Sequence, residues 1–236
     1  MIDALANTFT LSGLFWVSVT LLCYFVSLKV NVYFSGHPAL HPLVVTAALV
    51  ALLLVLTQVN VPRYQQSVSF LHWLLGPVTV ALAIPIFKQW QSLKKYGWRL
   101  FISIAIGGII APLTAWITLY ILNTPIALQL TMLAKSITTP LAMEASAQIG
   151  GIAPLAAVFV IVTGIVGAVL SNTMFTLFNV TSPVAQGIAL GTVAHAVGTA
   201  KAIHMGEDVA AMATLGLCIN GIFTAFVLPL IFSIMM

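Results

Sequence analysis

Charge is nearly missing from this chain: four acidic and eight basic residues among 236 amount to 5%, where soluble domains carry roughly a quarter. A chain with so little polar surface cannot coat itself for water, and with 61% hydrophobic residues and a mean hydropathy of +1.14 it reads as bilayer filling. Cysteine is scarce too. Cys23 and Cys218 each lie inside an apolar run without paired spacing, which excludes a disulfide framework. His37, His41, His72 and His204 lack metal-ligand spacing, so no metal and no cofactor is expected. The net charge of +4 is spread over loop ends instead of one face, which excludes nucleic acid as a partner. No Gly-x-Ser-x-Gly elbow, phosphate-binding glycine loop or His-Glu-x-x-His helix occurs, and four acids are too few for a metal-dependent transferase, so an enzyme is not expected.

Long apolar runs are what the chain does have, at 11–28, 43–59, 70–87, 100–122, 152–170, 184–197 and 209–236. About 20 apolar residues cross a 30 Å hydrocarbon core, so the length allows about seven to nine membrane segments in one all-α polytopic domain, 1–236. Met1 to Ala6 lacks the basic flank of a cleavable signal, and the first run continues into Lys29. The basic stretch Lys88, Lys94, Lys95 and Arg99 belongs in the cytoplasm by the positive-inside rule, and counting back three spans puts the N-terminus outside.

Two later segments look broken or re-entrant. Thr138-Thr139-Pro140 interrupts the run Ile126 to Ala147, and proline, which lacks an amide donor, suits the first turn of a new helix. Thr138 or Thr139 is then the N-cap. Ser182-Pro183 starts another segment that reaches the polar stretch from His195 through Gly198 and Thr199 to Lys201. Pro42 and Pro77 in one half answer Pro140 and Pro183 in the other, which fits inverted repeats over 1–122 and 123–236 as well as it fits simple packing.

Ionisable groups inside a membrane are costly and mark pathways or partners. The helix start at Pro140 offers free amides to an anion, the Thr138 and Thr139 hydroxyls can assist, and Lys135 or Lys201 can balance the charge. A small carboxylate fits, with Ser136 and Thr199 able to bond a neighbouring hydroxyl. Glu144 and His195 are candidates for proton coupling. Structural alternatives stand beside each: Lys201 as a snorkelling anchor, Glu144 as the static partner of Lys135, His195 as a carbonyl-bonded neutral ring, and Gly187 and Gly191 as a small-residue packing face. Glycine-rich helices of this kind also lead us to expect a homodimer in the bilayer.

The stretch Lys135 to Glu144, then Gly150-Gly151, Ala157 to Ile161 and Gly191 to Lys201, resembles the signature of the LrgB/CidB membrane family, and Gly76 to Pro85 resembles that family's third motif. That family was first described as holin- and antiholin-like proteins that modulate murein hydrolases and lysis, and it is similar to the membrane domain of the plastid glycolate/glycerate translocator. The resemblance implies a bacterial cell (inner) membrane location, transport of small 2-hydroxy monocarboxylates, or, alternatively, lysis regulation with a small holin-like membrane protein as partner. Lys201 stands where the family usually has Arg, which exchanges a bidentate fork for a point charge. His41 stands for Asn, Ala194 for Ser, and His204 and Val209 occupy positions where the family tends to carry Glu.

Overall fold

The computed structural model describes residues 10–34, 40–81 and 83–235, so His37 and the Met1 to Ala6 segment lie outside the described residues. Among the described residues every regular element is a helix: α1 Leu11–Tyr33, α2 Pro42–Thr57, α3 Val61–Ser67, α4 Ser69–Trp73, α5 Leu75–Ala81, α6 Ala83–Lys88, α7 Trp90–Ile121, α8 Ile126–Leu133, α9 Thr139–Gln148, α10 Ala153–Leu177, α11 Pro183–Met205 and α12 Glu207–Met235. Four are long and apolar enough to cross a membrane: Leu11–Tyr33, Trp90–Ile121, Ala153–Leu177 and Glu207–Ile234. The pair α2 and α3, bent by 115°, raises the number to five at most.

That number replaces the seven to nine segments expected from the apolar runs. In the 70–87 run α4 ends at Trp73 and a new helix starts at Leu75, beside Gly76 and Pro77. The 126–147 run becomes two helices of 8 and 10 residues, about 12 and 15 Å long, neither of which crosses a bilayer. The 184–197 run lies in α11, which breaks at His195. Apolar length alone therefore overcounts spans wherever a proline or a left-handed residue resets the helix.

Contacts divide the chain into two compact units, Met1–Val78 and Thr79–Met236. In the first, Trp16, Cys23, Val50 and Leu54 form the core between α1 and α2. Tyr64 of α3 meets the Trp16 ring edge-on at 5.5 Å, and its hydroxyl pairs with Thr20 Oγ1 at 2.9 Å. The buried Ser27 Oγ accepts from Thr46 Oγ1 at 3.0 Å, so the polar atoms between these apolar helices bond one another.

In the second unit α12 is the pillar. Its first turn holds Glu207 and Asp208, which suit the positive end of the helix dipole. The most extensive helix pairing in the chain is α11 on α12. It is so close that a side chain on Gly191 would run into the Ala213 carbonyl, and one on Gly187 into that of Val209. The packing-face reading of these two glycines describes what they do. Gly191→Ala should therefore lower thermal stability by the roughly 1 to 3 kcal/mol typical of overpacking against backbone, whereas Gly221→Ala, which meets only the flexible Leu141 methyl at 3.2 Å, should be mild. Melting of the two variants in detergent checks this; equal losses would contradict the packing described.

Candidate functional site

Each broken segment is built as a hairpin beside α10. α8 stops at Leu133, and Ala134 to Ile137 turn in the buried interior before Thr138, with extended φ/ψ of −67° and 149°, starts α9. Thr131 Oγ1 near the end of α8 accepts from the amide of Ile152 at 2.8 Å, just past α9, which ties the two ends of the segment together. The turn packs through Ala134 and Ile137 onto Ala142, Ala145, Ala156 and Val160.

The second break reverses direction more sharply. His195 has φ 39° and ψ −126°, a backbone no helix holds. Before it, α11 runs against α10: Leu190 clusters with Phe175 nearby, Ala194 abuts Gly167, and the His195 ring reaches the Val160 carbonyl with Nε2 at 2.9 Å. After it the chain returns, and Lys201 Nζ donates to the Ala168 carbonyl at 2.6 Å. Glycines make room for the reversal, since a side chain on Gly198 would strike the Leu190 carbonyl and one on Gly164 would meet His195 Cε1 at 2.6 Å. The first hairpin joins α10 at its N-terminal end and the second at its C-terminal end. α10 between them is long and apolar enough to cross a membrane.

Asn220, fully buried at the middle of α12, joins the two breaks. Its Nδ2 donates to the Ser136 carbonyl at 2.8 Å and to the Thr192 carbonyl at 3.1 Å, so one amide nitrogen holds the tip of the first hairpin to the last turn before the second. Thr224 Oγ1 supports the Oδ1 side at 3.4 Å, and the Gly108 position leaves space for that oxygen.

Lys135 sits in this knot with 9% exposure. Its Nζ has a long contact of 3.5 Å to Ser136 Oγ, and among the described residues no acidic side chain pairs with it. Glu144 is exposed on the outer face of α9 and accepts from Gln148 Nε2 at 2.9 Å, so the static Lys135–Glu144 pair does not form. Beside Lys135 opens the N-terminus of α9, where Thr138 is the N-cap, Thr139 opens the helix and Pro140 follows, with no side-chain capping bond. The structure thus brings Lys135, Ser136, Thr138, Thr139 and Pro140 together. On the second hairpin Thr199 Oγ1 donates to the His195 carbonyl at 2.9 Å, Lys201 is committed to Ala168, and Gly198 serves the tight reversal.

Sequence reasoning missed Asn220, Thr192 and Gly164. The signal for Asn220 was a lone amide inside the 209–236 apolar run, where a polar side chain needs partners. Thr192 and Gly164 carried none, because small residues fill membrane helices generally. Asn220→Leu leaves two buried carbonyls without a donor, and Asn220→Asp, ionised, cannot donate at all; each lost partner costs about 1 to 3 kcal/mol. Both variants should melt well below Thr224→Val, which loses only the 3.4 Å contact. Equal melting of Asn220→Asp and wild type would contradict the tie.

Comparison with known proteins matches residues 20–234 to the LrgB-like family. Proteins named antiholin-like protein LrgB from Bacillus mycoides (strain KBAB4), Bacillus cereus (strain B4264) and Bacillus anthracis (strain CDC 684 / NRRL 3495) are each 31% identical over 221 residues, 94% of this chain and 96% of theirs. No solved structure matches.

Proposed function

This chain belongs to the LrgB-like family, and we propose that it is a secondary transporter of small 2-hydroxy monocarboxylates such as glycolate or glycerate, coupled to protons, in a bacterial cell (inner) membrane. One observation carries the reading: a buried ammonium, Lys135, without an acidic partner, lies three residues before an uncapped helix N-terminus. A buried charge without a partner is strongly destabilising, and a ligand carboxylate would supply the partner. The α9 amides add roughly half a positive charge at the same end. Ser136, Thr138 and Thr139 offer hydroxyls for the neighbouring 2-hydroxyl. Two broken segments that meet at one knot suit alternating access around a central site, and in this proposal they enter from opposite sides, as in transporters built from discontinuous helices and inverted repeats.

In this proposal Lys135, Ser136, Thr138, Thr139 and Pro140 hold the carboxylate, and His195 with Gly198, Thr199 and Lys201 forms the opposing wall. Of the two proton-coupling candidates, His195 is the buried one, at 2% exposure, and Glu144 is the exposed one. Coupling is assigned to His195 because it is the buried one of the two. The expected homodimer belongs to the same proposal, and cross-linking in nanodiscs that yields only monomer would remove it.

The relatives' name favours a second reading, an antiholin-like regulator that acts through a small holin-like membrane protein. Uptake of labelled glycolate by liposomes that hold only the purified protein separates the two. Transport predicts accumulation under an imposed pH gradient; no movement and no binding of any small monocarboxylate sinks it.

Losing one charge-assisted hydrogen bond costs about 1.5 to 3 kcal/mol, roughly 10- to 150-fold in affinity. Lys135→Met should weaken glycolate binding by that factor, with Thr139→Val weaker in effect but in the same direction. Unchanged affinity in both folded variants would place the ligand elsewhere. Across pH 5 to 8, His195→Gln should flatten the pH dependence of uptake while Glu144→Gln preserves it; the reverse pattern would move coupling to Glu144.

A further inference from the structure

A cavity of about 480 Å³ lies between α7 and α11, and its inner end borders the knot at Thr192, while Lys135 and Asn220 do not line it. Its wall from α7 includes Tyr96, Arg99, Ser103 and Gly107, and its wall from α11 runs from Ser182 to Val193. Gly107 of α7 lies against Thr192 of α11, and Leu93 and Tyr96 share a hydrophobic cluster with Val184 and Ile188, so the two helices run in the same direction and both start at the same end. At that end stand Tyr96, Arg99 and Ser182, the N-cap of α11, which makes no side-chain capping bond. Among the described residues no acidic side chain pairs with Arg99. The rest of the lining is mainly apolar, through Leu100, Ile106, Val184, Ile188 and Val193, with Thr192 at the inner end, and from Val184 to Val193 the α11 wall extends about 14 Å at helical rise.

The approach to this mouth carries the marks of a membrane–water boundary. Gly97, at φ 51° and ψ −135°, bends α7 into a short leading turn and a long apolar span. On the leading turn Lys94 lies 5.2 Å over the Trp90 ring and Lys95 5.3 Å over that of Tyr96. Trp and Tyr favour this depth, and basic residues here meet the anionic leaflet of the cytoplasmic side.

We propose that the cleft is a binding site for one anionic glycerophospholipid, with its phosphate at Arg99 and the start of α11 and one acyl chain along the apolar floor. The division of the cleft matches that of a lipid: cation and amides at the interface, hydrocarbon inward. A small free anion uses only the mouth, whereas a zwitterionic lipid gains no net attraction from the Lys94, Lys95 and Arg99 cluster. The site is independent of the transport reading and stands if no carboxylate moves.

Native mass spectrometry of the purified protein with phosphatidylglycerol or phosphatidylcholine tests it. The wild type should retain phosphatidylglycerol preferentially. Arg99→Gln should lower that retention about fivefold, the value of one interfacial charge at an anionic surface. Ala189→Phe, which fills the cleft from α11 without touching the charges, should lower retention of both lipids. Lipid-free melting temperatures near wild type establish that the variants fold. Equal retention of the two lipids by wild type, retention unchanged in both variants, or displacement of the lipid by millimolar phosphate or glycolate would each overturn the proposal.

Discussion

One amide nitrogen organises the second unit. Asn220 Nδ2 is shared by two carbonyls, Ser136 O in the turn of the first hairpin and Thr192 O one turn before the reversal of the second. Broken helices leave backbone groups without intrahelical partners, and hydrocarbon offers no water to satisfy them. Non-helical backbone therefore survives at that depth only where protein supplies the missing donors. Asn220 does so for both hairpins at once, and α12 contributes it from a helix long enough to cross. Two interruptions that would be separate liabilities become one joint.

The same joint explains why a cation can be buried beside it. Ala134 and Ile137 are fully buried in an alanine-rich cluster, so the turn that carries Lys135 is fixed and the side chain cannot be released without unpacking it. Lys201 offers the contrast. It is only partly buried and is satisfied by the Ala168 carbonyl, which is a structural bond. Two lysines that look alike in an apolar sequence thus differ in what remains for a ligand: Lys201 has a protein acceptor, and Lys135 has a long contact to one hydroxyl. Arg99 is a third situation, an exposed cation at the mouth of a cleft.

Much of this was legible in the sequence, for particular physical reasons. The helix starts at Thr138 and Ser182 could be read because proline at the start of a helix is a local signal that tertiary packing rarely overrides. The depth of Lys135 followed from its surroundings in the chain. What was not legible depended on distant contacts. The reversal at His195 requires a left-handed residue that no proline or glycine at 195 announces, and it holds because Val160, Gly164 and Gly198 make space for it. The exposure of Glu144 depends on which face of α9 turns inward, and that face is set by Ala142, Ala145 and Ser146. The span count failed because hydropathy registers apolar length without registering where a helix stops.

The account turns on whether the Lys135 ammonium is the group that meets the anion. The chain has six lysines, so a protein labelled with nitrogen-15 at lysine Nζ gives few signals, and a Lys135→Met sample assigns the one that matters. Titration with glycolate, against the uncharged glycolamide as control, measures the contact itself. The Lys135 signal should shift and saturate with glycolate while Lys201 and the four remaining lysines stay in place, and glycolamide should leave all six unmoved. A Lys135 signal that does not respond in protein that binds glycolate would contradict the site.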